Sequence, residues 1–180
     1  MSLVVRGIRG SLVMACLAFL MAGCATTQGS YHISSPPPGE VKLSKYSNLY
    51  VDVTCSRGLL SPSDMNRIKN LIVENVPAQC SGKFKCVDQP AQGADAILAK
   101  VNITKYEEGN SLARFMLAGL GQMHIFADVT LSDYTSGDVL FQSEVKKTFA
   151  WGGMYGGTAQ ITDIEEGFAK AVAASFSGKE

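Results

Sequence analysis

The chain has 180 residues, 46% of them apolar, and its 16 basic and 16 acidic side chains balance to a formal net charge of zero. That length suits one domain with an appended segment, enough to bury a core without covalent staples. No basic run or patch is visible, so the electrostatic footprint of a nucleic-acid-binding protein is missing and no nucleic-acid partner is expected.

The first residues read as a targeting segment rather than as part of a fold. Arg6 and Arg9 make a positive leader, and residues 11–23 (SLVMACLAFLMAG) carry no charge. A bilayer-spanning helix needs about 20 apolar residues, so this shorter stretch fits the apolar region of a signal peptide. It ends in Leu20-Met21-Ala22-Gly23-Cys24. This ending resembles the lipobox of bacterial lipoproteins, in which small residues precede an invariant cysteine; Met21 stands where leucine is usual. The resemblance implies a signal peptide over residues 1–23, cleavage before Cys24, and lipidation of Cys24 with fatty acyl chains, palmitate among them. One acyl chain binds a membrane marginally, whereas two or more hold it firmly. Among such lipoproteins an Asp after the cysteine retains the protein in the inner membrane. Ala25 stands there in this chain, so the implied address is the periplasmic face of the outer membrane.

Residues 24–46 read as the lipidated cysteine and a tether. Ser34-Ser35-Pro36-Pro37-Pro38-Gly39 has no apolar periodicity, and a proline run favours an extended, semi-rigid spacer that would lift a domain off the lipid surface. Residues 47–180 are expected to form a single periplasmic α+β domain. Leu49, Val51, Val53 and Cys55 alternate with polar neighbours, the mark of a half-buried strand. Ser61-Pro62-Ser63-Asp64 opens a helix, with Ser61 as cap and Pro62 in the first turn. Met65, Ile68, Leu71, Ile72 and Val76 form its stripe, and Pro77 is expected to end it. Residues 84–87 make a short strand. Longer strands are predicted over residues 95–106, 123–133 and 139–151, with a hairpin turn at Asp133–Asp138. Gly152-Gly153 and Gly156-Gly157 read as chain breaks. Thr162-Asp163-Ile164-Glu165 reads as a capping box opening a last helix, with Ile161, Ile164, Phe168, Val172 and Phe176 facing inward.

The predicted order is β-α-β-β-β-β-α. It describes a two-layer α+β domain: a mixed, mostly antiparallel sheet with two helices on one face. The other face, carrying Lys100, Thr104, Asp128 and Thr130, is expected to be solvated or open to a partner.

The segment Glu107-Glu108-Gly109-Asn110-Ser111-Leu112-Ala113-Arg114-Phe115-Met116-Leu117-Ala118-Gly119-Leu120-Gly121 is the most unusual part of the chain. With Asp133, Gly137 and the Gly152–Gly157 stretch, its Gly109, Arg114, Gly119 and Gly121 resemble the bacterial lipoprotein family known as domain of unknown function 4410. The resemblance extends over residues 94–176 and implies no activity. Residues 112–120 read either as an exposed apolar loop that touches a membrane or partner, or as a short helix packed at the domain edge. Arg114 is expected to pair with Glu107 or Glu108, or to meet lipid phosphate. Trp151, Met154 and Tyr155 read equally as a binding loop or a hydrophobic plug. Arg114, Phe115, Gly119, Gly121, Trp151 and Tyr155 are the candidate partner-binding residues.

Cys16 leaves with the leader, which leaves Cys55, Cys80 and Cys86 in an oxidising compartment. Cys55 reads as a small core hydrophobe, and Cys80–Cys86 is the favoured disulfide. No cofactor is expected: Gly119-x-Gly121 precedes a strand and lacks a following Lys-Ser/Thr, so it is no phosphate loop. The two histidines, His32 and His124, lack the companions a metal or catalytic set needs. The sequence therefore predicts a non-enzymatic, membrane-anchored lipoprotein whose periplasmic domain binds an envelope protein. A small-molecule or lipid-binding module is the alternative, and a hydrolase the remote one.

Overall fold

The computed structural model describes residues 29–35, 43–58, 60–90, 95–117 and 120–178. The signal peptide, Cys24, the proline run and Gly119 lie outside them. The period-two segments form the long strands of one sheet: β2 (Asn48–Cys55), β4 (Ala96–Glu107), β5 (Met123–Asp133) and β6 (Val139–Phe149). Short strands β1 (Ser30–Ser35) and β3 (Lys85–Cys86) complete it. The helices are α1 (Pro62–Gln79), the short α2 (Ser111–Met116) and α3 (Gly153–Thr158), and α4 (Thr162–Ser175).

The strand order is β1-β6-β5-β4-β2-β3. β4, β5 and β6 form an antiparallel meander, and β2 runs parallel to both β3 and β4. α1 makes the crossover between β2 and the parallel β3, the kind of connection that such pairing requires, and the chain then passes back across to β4 on the other side of β2. The domain is α+β, as its patterning predicts. Leu49, Val51, Val101 and Val129 on the inner face of the sheet meet Ile68 and Ile72 of α1 and Phe168 and Val172 of α4. The five residues of the predicted C-terminal stripe are all buried.

Several sequence expectations are corrected. The folded part does not begin at Ser47. Within the expected tether, β1 pairs antiparallel with β6, Ser30 opposite Lys146, and the Gly29 N–H donates to the Gly167 carbonyl at 3.0 Å. Only Tyr31 and Ile33 in β1 are apolar, too few to register as a period, yet they face the core side of an edge strand. Pro77 does not stop α1, which runs on to Gln79. Near a helix end proline costs one bond, and the Cys80 N–H closes the turn on the Val76 carbonyl at 2.9 Å.

The capping box does not form. Glu165, buried to 1% exposure, turns instead to Arg67 (2.8 Å) and Tyr106 (2.7 Å). Residues 153–158, expected as a chain break, are helical because tertiary contacts override the poor helix propensity of their glycines. Finally, Cys55, Cys80 and Cys86 are free thiols. The expected Cys80–Cys86 bond is not made, because Cys80 turns into the core and its Sγ donates to the Ala173 carbonyl at 3.4 Å.

Candidate functional site

The segment that β4 feeds into is built around close backbone approaches. Gly109 (φ +65°) and Gly121 (φ +66°) both take the left-handed conformation that favours glycine. A Cβ on Gly109 would lie 2.1 Å from the Gln122 carbonyl oxygen, and one on Gly121 would lie 2.2 Å from that of Asn110. The two glycines thus close the base of a loop, tied by the Asn110 N–H to the Gly121 carbonyl at 3.2 Å. Asn110 also caps α2, its side chain accepting from the Ala113 N–H at 2.9 Å. On the far side of β5, β6 leads through Trp151 into α3. A Cβ on Gly156 would sit 2.1 Å from the Trp151 carbonyl oxygen, and one on Gly157 would sit 2.9 Å from the Phe115 Cβ. Glycine at 156 and 157 lets α3 close down on α2.

Arg114 holds the pair together from inside. Only 3% exposed, it donates from Nε to the Gly156 carbonyl (2.7 Å) and from Nη2 to that of Ala159 (3.1 Å). Its Nη1 reaches the carbonyls of Glu108 (2.6 Å) and Gly121 (2.8 Å). The planar fork of donors satisfies carbonyls from three chain segments at once, including those left orphaned near the end of α3. The expected pairing of Arg114 with a Glu107 or Glu108 carboxylate or with lipid phosphate is therefore replaced: it meets the main chain of Glu108 and does not face outward.

With this frame inside, the apolar side chains turn out. Leu112, Phe115, Met116, Leu117 and Leu120 join Trp151, Met154 and Tyr155, ranging from 49% exposed at Phe115 to 78% at Met154. Both readings of residues 112–120 thus hold in part: α2 is a short helix at the edge, and its apolar residues are exposed. Of the candidate contact residues, Phe115, Trp151 and Tyr155 share this surface. Arg114 and Gly121 build it from within, and Gly119 lies outside the described residues. Soluble domains rarely expose contiguous apolar surface of this kind without a use for it.

A second cluster was hidden in the sequence. Arg67 on α1 clasps Glu165 with Nε and Nη2 at 2.8 and 2.9 Å, and also reaches Asp64 at 2.7 Å. Burial, then the bond to Glu165, pushes the Tyr106 hydroxyl well above its usual pKa. These groups satisfy one another and tie α1 to α4 and β4. The only sequence hint was an acidic residue on the inward side of the last helix. The depression beside this cluster, about 430 Å³, is open, and Ser63, Asn66, Asn70 and Glu74 give it a polar lining. His124 bonds Thr148 across the strand at 3.1 Å; among the described residues no His, Cys, Asp and Glu group has the arrangement to hold a metal. No helix among them is long and apolar enough to cross a membrane.

Comparison with solved structures places the fold. The chain is similar to the PelC dodecamer from Paraburkholderia phytofirmans at 12% identity, covering 84% of this chain and 99% of that one, with a TM-score of 0.53. It is also similar to protein XCC0632 from Xanthomonas campestris, at 13% identity, 83% and 91% coverage and a TM-score of 0.50. At those identities the likeness concerns the fold alone. No curated protein matches the chain in sequence. The family model described as domain of unknown function, DUF4410, matches residues 44–153. The match starts earlier than the expected residue 94, taking in β2 and α1, and stops short of α4. Gly109, Arg114 and Gly121, the residues that build the α2–α3 end, all fall inside it, and the chain belongs to the DUF4410 family.

Proposed function

We propose that this chain is a non-enzymatic lipoprotein. Acyl chains on Cys24 anchor it at the periplasmic face of the outer membrane, and its domain binds an envelope protein across the uncovered face of the sheet. The observation that carries this reading is the one-sided covering of that sheet. α1 and α4 pack on one face, and no described element covers the other. The uncovered face is patterned. Phe126 stands opposite Lys105 and Lys146, whose ammonium groups lie 5.3 and 5.8 Å from its ring. On a nearby rung Asn102, Asp128 and Glu144 are opposite one another. Like charges directly opposite in a ladder weaken it; Glu144 pairs with Lys146 at 2.7 Å and has His32 opposite it on β1, while Asp128 is exposed. A partner bringing a cation to Asp128 and an apolar group to Phe126 would complement both rungs.

Site-specific photo-crosslinking in intact cells tests the reading. Probes replacing Asp128 and Lys146 are expected to yield one discrete protein adduct, lost in Phe126→Asp. Probes at Glu166 and Lys170 on α4 are expected to yield none. Equal adducts from both faces, or none from either, would sink the proposal.

A further inference from the structure

The apolar α2–α3 surface lies at the end of the domain from which the anchor leaves. β1 starts at Ser30, opposite Lys146 near the end of β6. At that same end β4 stops at Glu107 and leads into α2, β5 begins at Met123, and β6 stops at Phe149 and leads into α3. Six residue steps separate Cys24 from Ser30. A chain spans at most about 3.6 Å per residue, so Ser30 stays within roughly 20 Å of the anchored cysteine whatever path the link takes. From the rung shared by Ser30, Lys146 and Phe126, β5 runs seven residues further to Asp133, about 23 Å. With the strands upright on the Asp133–Asp138 hairpin, Ser30 would stand farther from the membrane than that link reaches, so an upright domain rests on its other end. Of the surfaces near the anchor, the sheet face bears charged rungs. The α2–α3 end bears Leu112, Phe115, Met116, Trp151, Met154 and Tyr155, an aliphatic and aromatic set suited to the headgroup boundary.

From this we infer that the α2–α3 end docks on the bilayer that holds the Cys24 lipid, with Trp151 and Tyr155 at headgroup level and Leu112 and Met154 reaching below. The inference rests on the lipid-anchor reading above. The acyl chains supply attachment; the patch supplies orientation. The strands stand off the membrane, and the open face of the sheet is presented sideways to other envelope proteins.

Trp151 is the single tryptophan, so its fluorescence reports the patch alone. The full mature chain, isolated with its lipid, is placed in phosphatidylethanolamine–phosphatidylglycerol vesicles carrying phospholipid brominated near the headgroup end of its acyl chains. Trp151 emission is expected to shift blue and to be quenched about twofold, as for a ring seated at the interface. The double variant Leu112→Asp/Met154→Asp is expected to lose both effects while keeping its acyl chains. Mass spectrometry of the same preparation separates the two readings. An unacylated Cys24 overturns the anchor reading and this one together. An acylated chain whose Trp151 is quenched by aqueous acrylamide as freely as in detergent-free monomer, and not by bromolipid, overturns this one alone. Shielding that appears in native envelopes but not in pure lipid vesicles also overturns it, and assigns the patch to a protein.

Discussion

Replacing Arg114 with methionine keeps most of the side-chain volume and removes every donor that ties α2 to α3. The Gly156 and Ala159 carbonyls lose their partner in a buried setting, whereas those of Glu108 and Gly121 are only partly buried. A buried polar group left unsatisfied costs about 1–3 kcal/mol, while water recovers much of the loss at a partly exposed one. The expected destabilisation is therefore about 2–5 kcal/mol, a large share of the 5–15 kcal/mol typical of a domain. Urea unfolding followed by far-ultraviolet circular dichroism measures it. Hydrogen exchange locates it, with faster exchange expected over residues 109–121 and 153–159 ahead of the core strands. Arg114→Lys should recover only part, because an ammonium lacks the planar fork. A loss below about 1 kcal/mol with unchanged exchange would show that the carbonyls find other partners and that Arg114 does not hold this end together.

Three further outcomes follow from particular residues. Gly156→Ala pushes a methyl against the Trp151 carbonyl oxygen, 2.1 Å away; overpacking of this kind costs about 1–3 kcal/mol, so thermal unfolding should come several degrees lower, and an unchanged midpoint would contradict the close approach. Asp133 is held down to about 2 by the Ser136 N–H and then by the Tyr46 hydroxyl. Because its folded pKa is depressed, its contribution is present above the ordinary value of 3.8 and fades as pH falls toward about 2. Asp133→Asn should therefore flatten the acid limb of stability in that window, and an unaltered limb would refute it. Burial pushes the Cys80 thiol up to about 11, so mass-mapped alkylation at pH 8 should modify it only after unfolding; native-state labelling at the rate of a free thiol would argue against its burial.

What the sequence made legible was set by periodicity. β2, β4, β5 and β6 alternate cleanly because one face of each is buried. The Ser61 cap was readable because its bond to the Asp64 N–H, 3.2 Å long, is local. The misses are long-range. β1 is a strand only because β6 offers an edge, and α3 is helical only because Arg114 and Phe115 meet its glycines. Glu165 matched a local cap motif, yet a bidentate arginine on another helix won it. On the exposed apolar surface, Phe115, Trp151 and Tyr155 could be singled out by type alone. The same instinct misplaced Arg114, since nothing in its neighbours shows that its donors end on main-chain carbonyls.

The pairing of β1 with β6 also bears on how the domain withstands load. With the chain anchored through Cys24 as proposed, a pull between membrane and domain would enter the fold at the start of β1. In the proposed orientation, with strands standing off the bilayer, that pull would run along the strand axis. The β1–β6 hydrogen bonds, perpendicular to that axis, are then loaded in shear and share the force, where a sideways pull would unzip them one at a time. The bond from the Gly29 N–H to the Gly167 carbonyl adds a clip to α4 at the point of entry. A pull on the start of β1 would thereby be spread into the sheet and the C-terminal helix together, a mechanically strong way to fasten an edge strand.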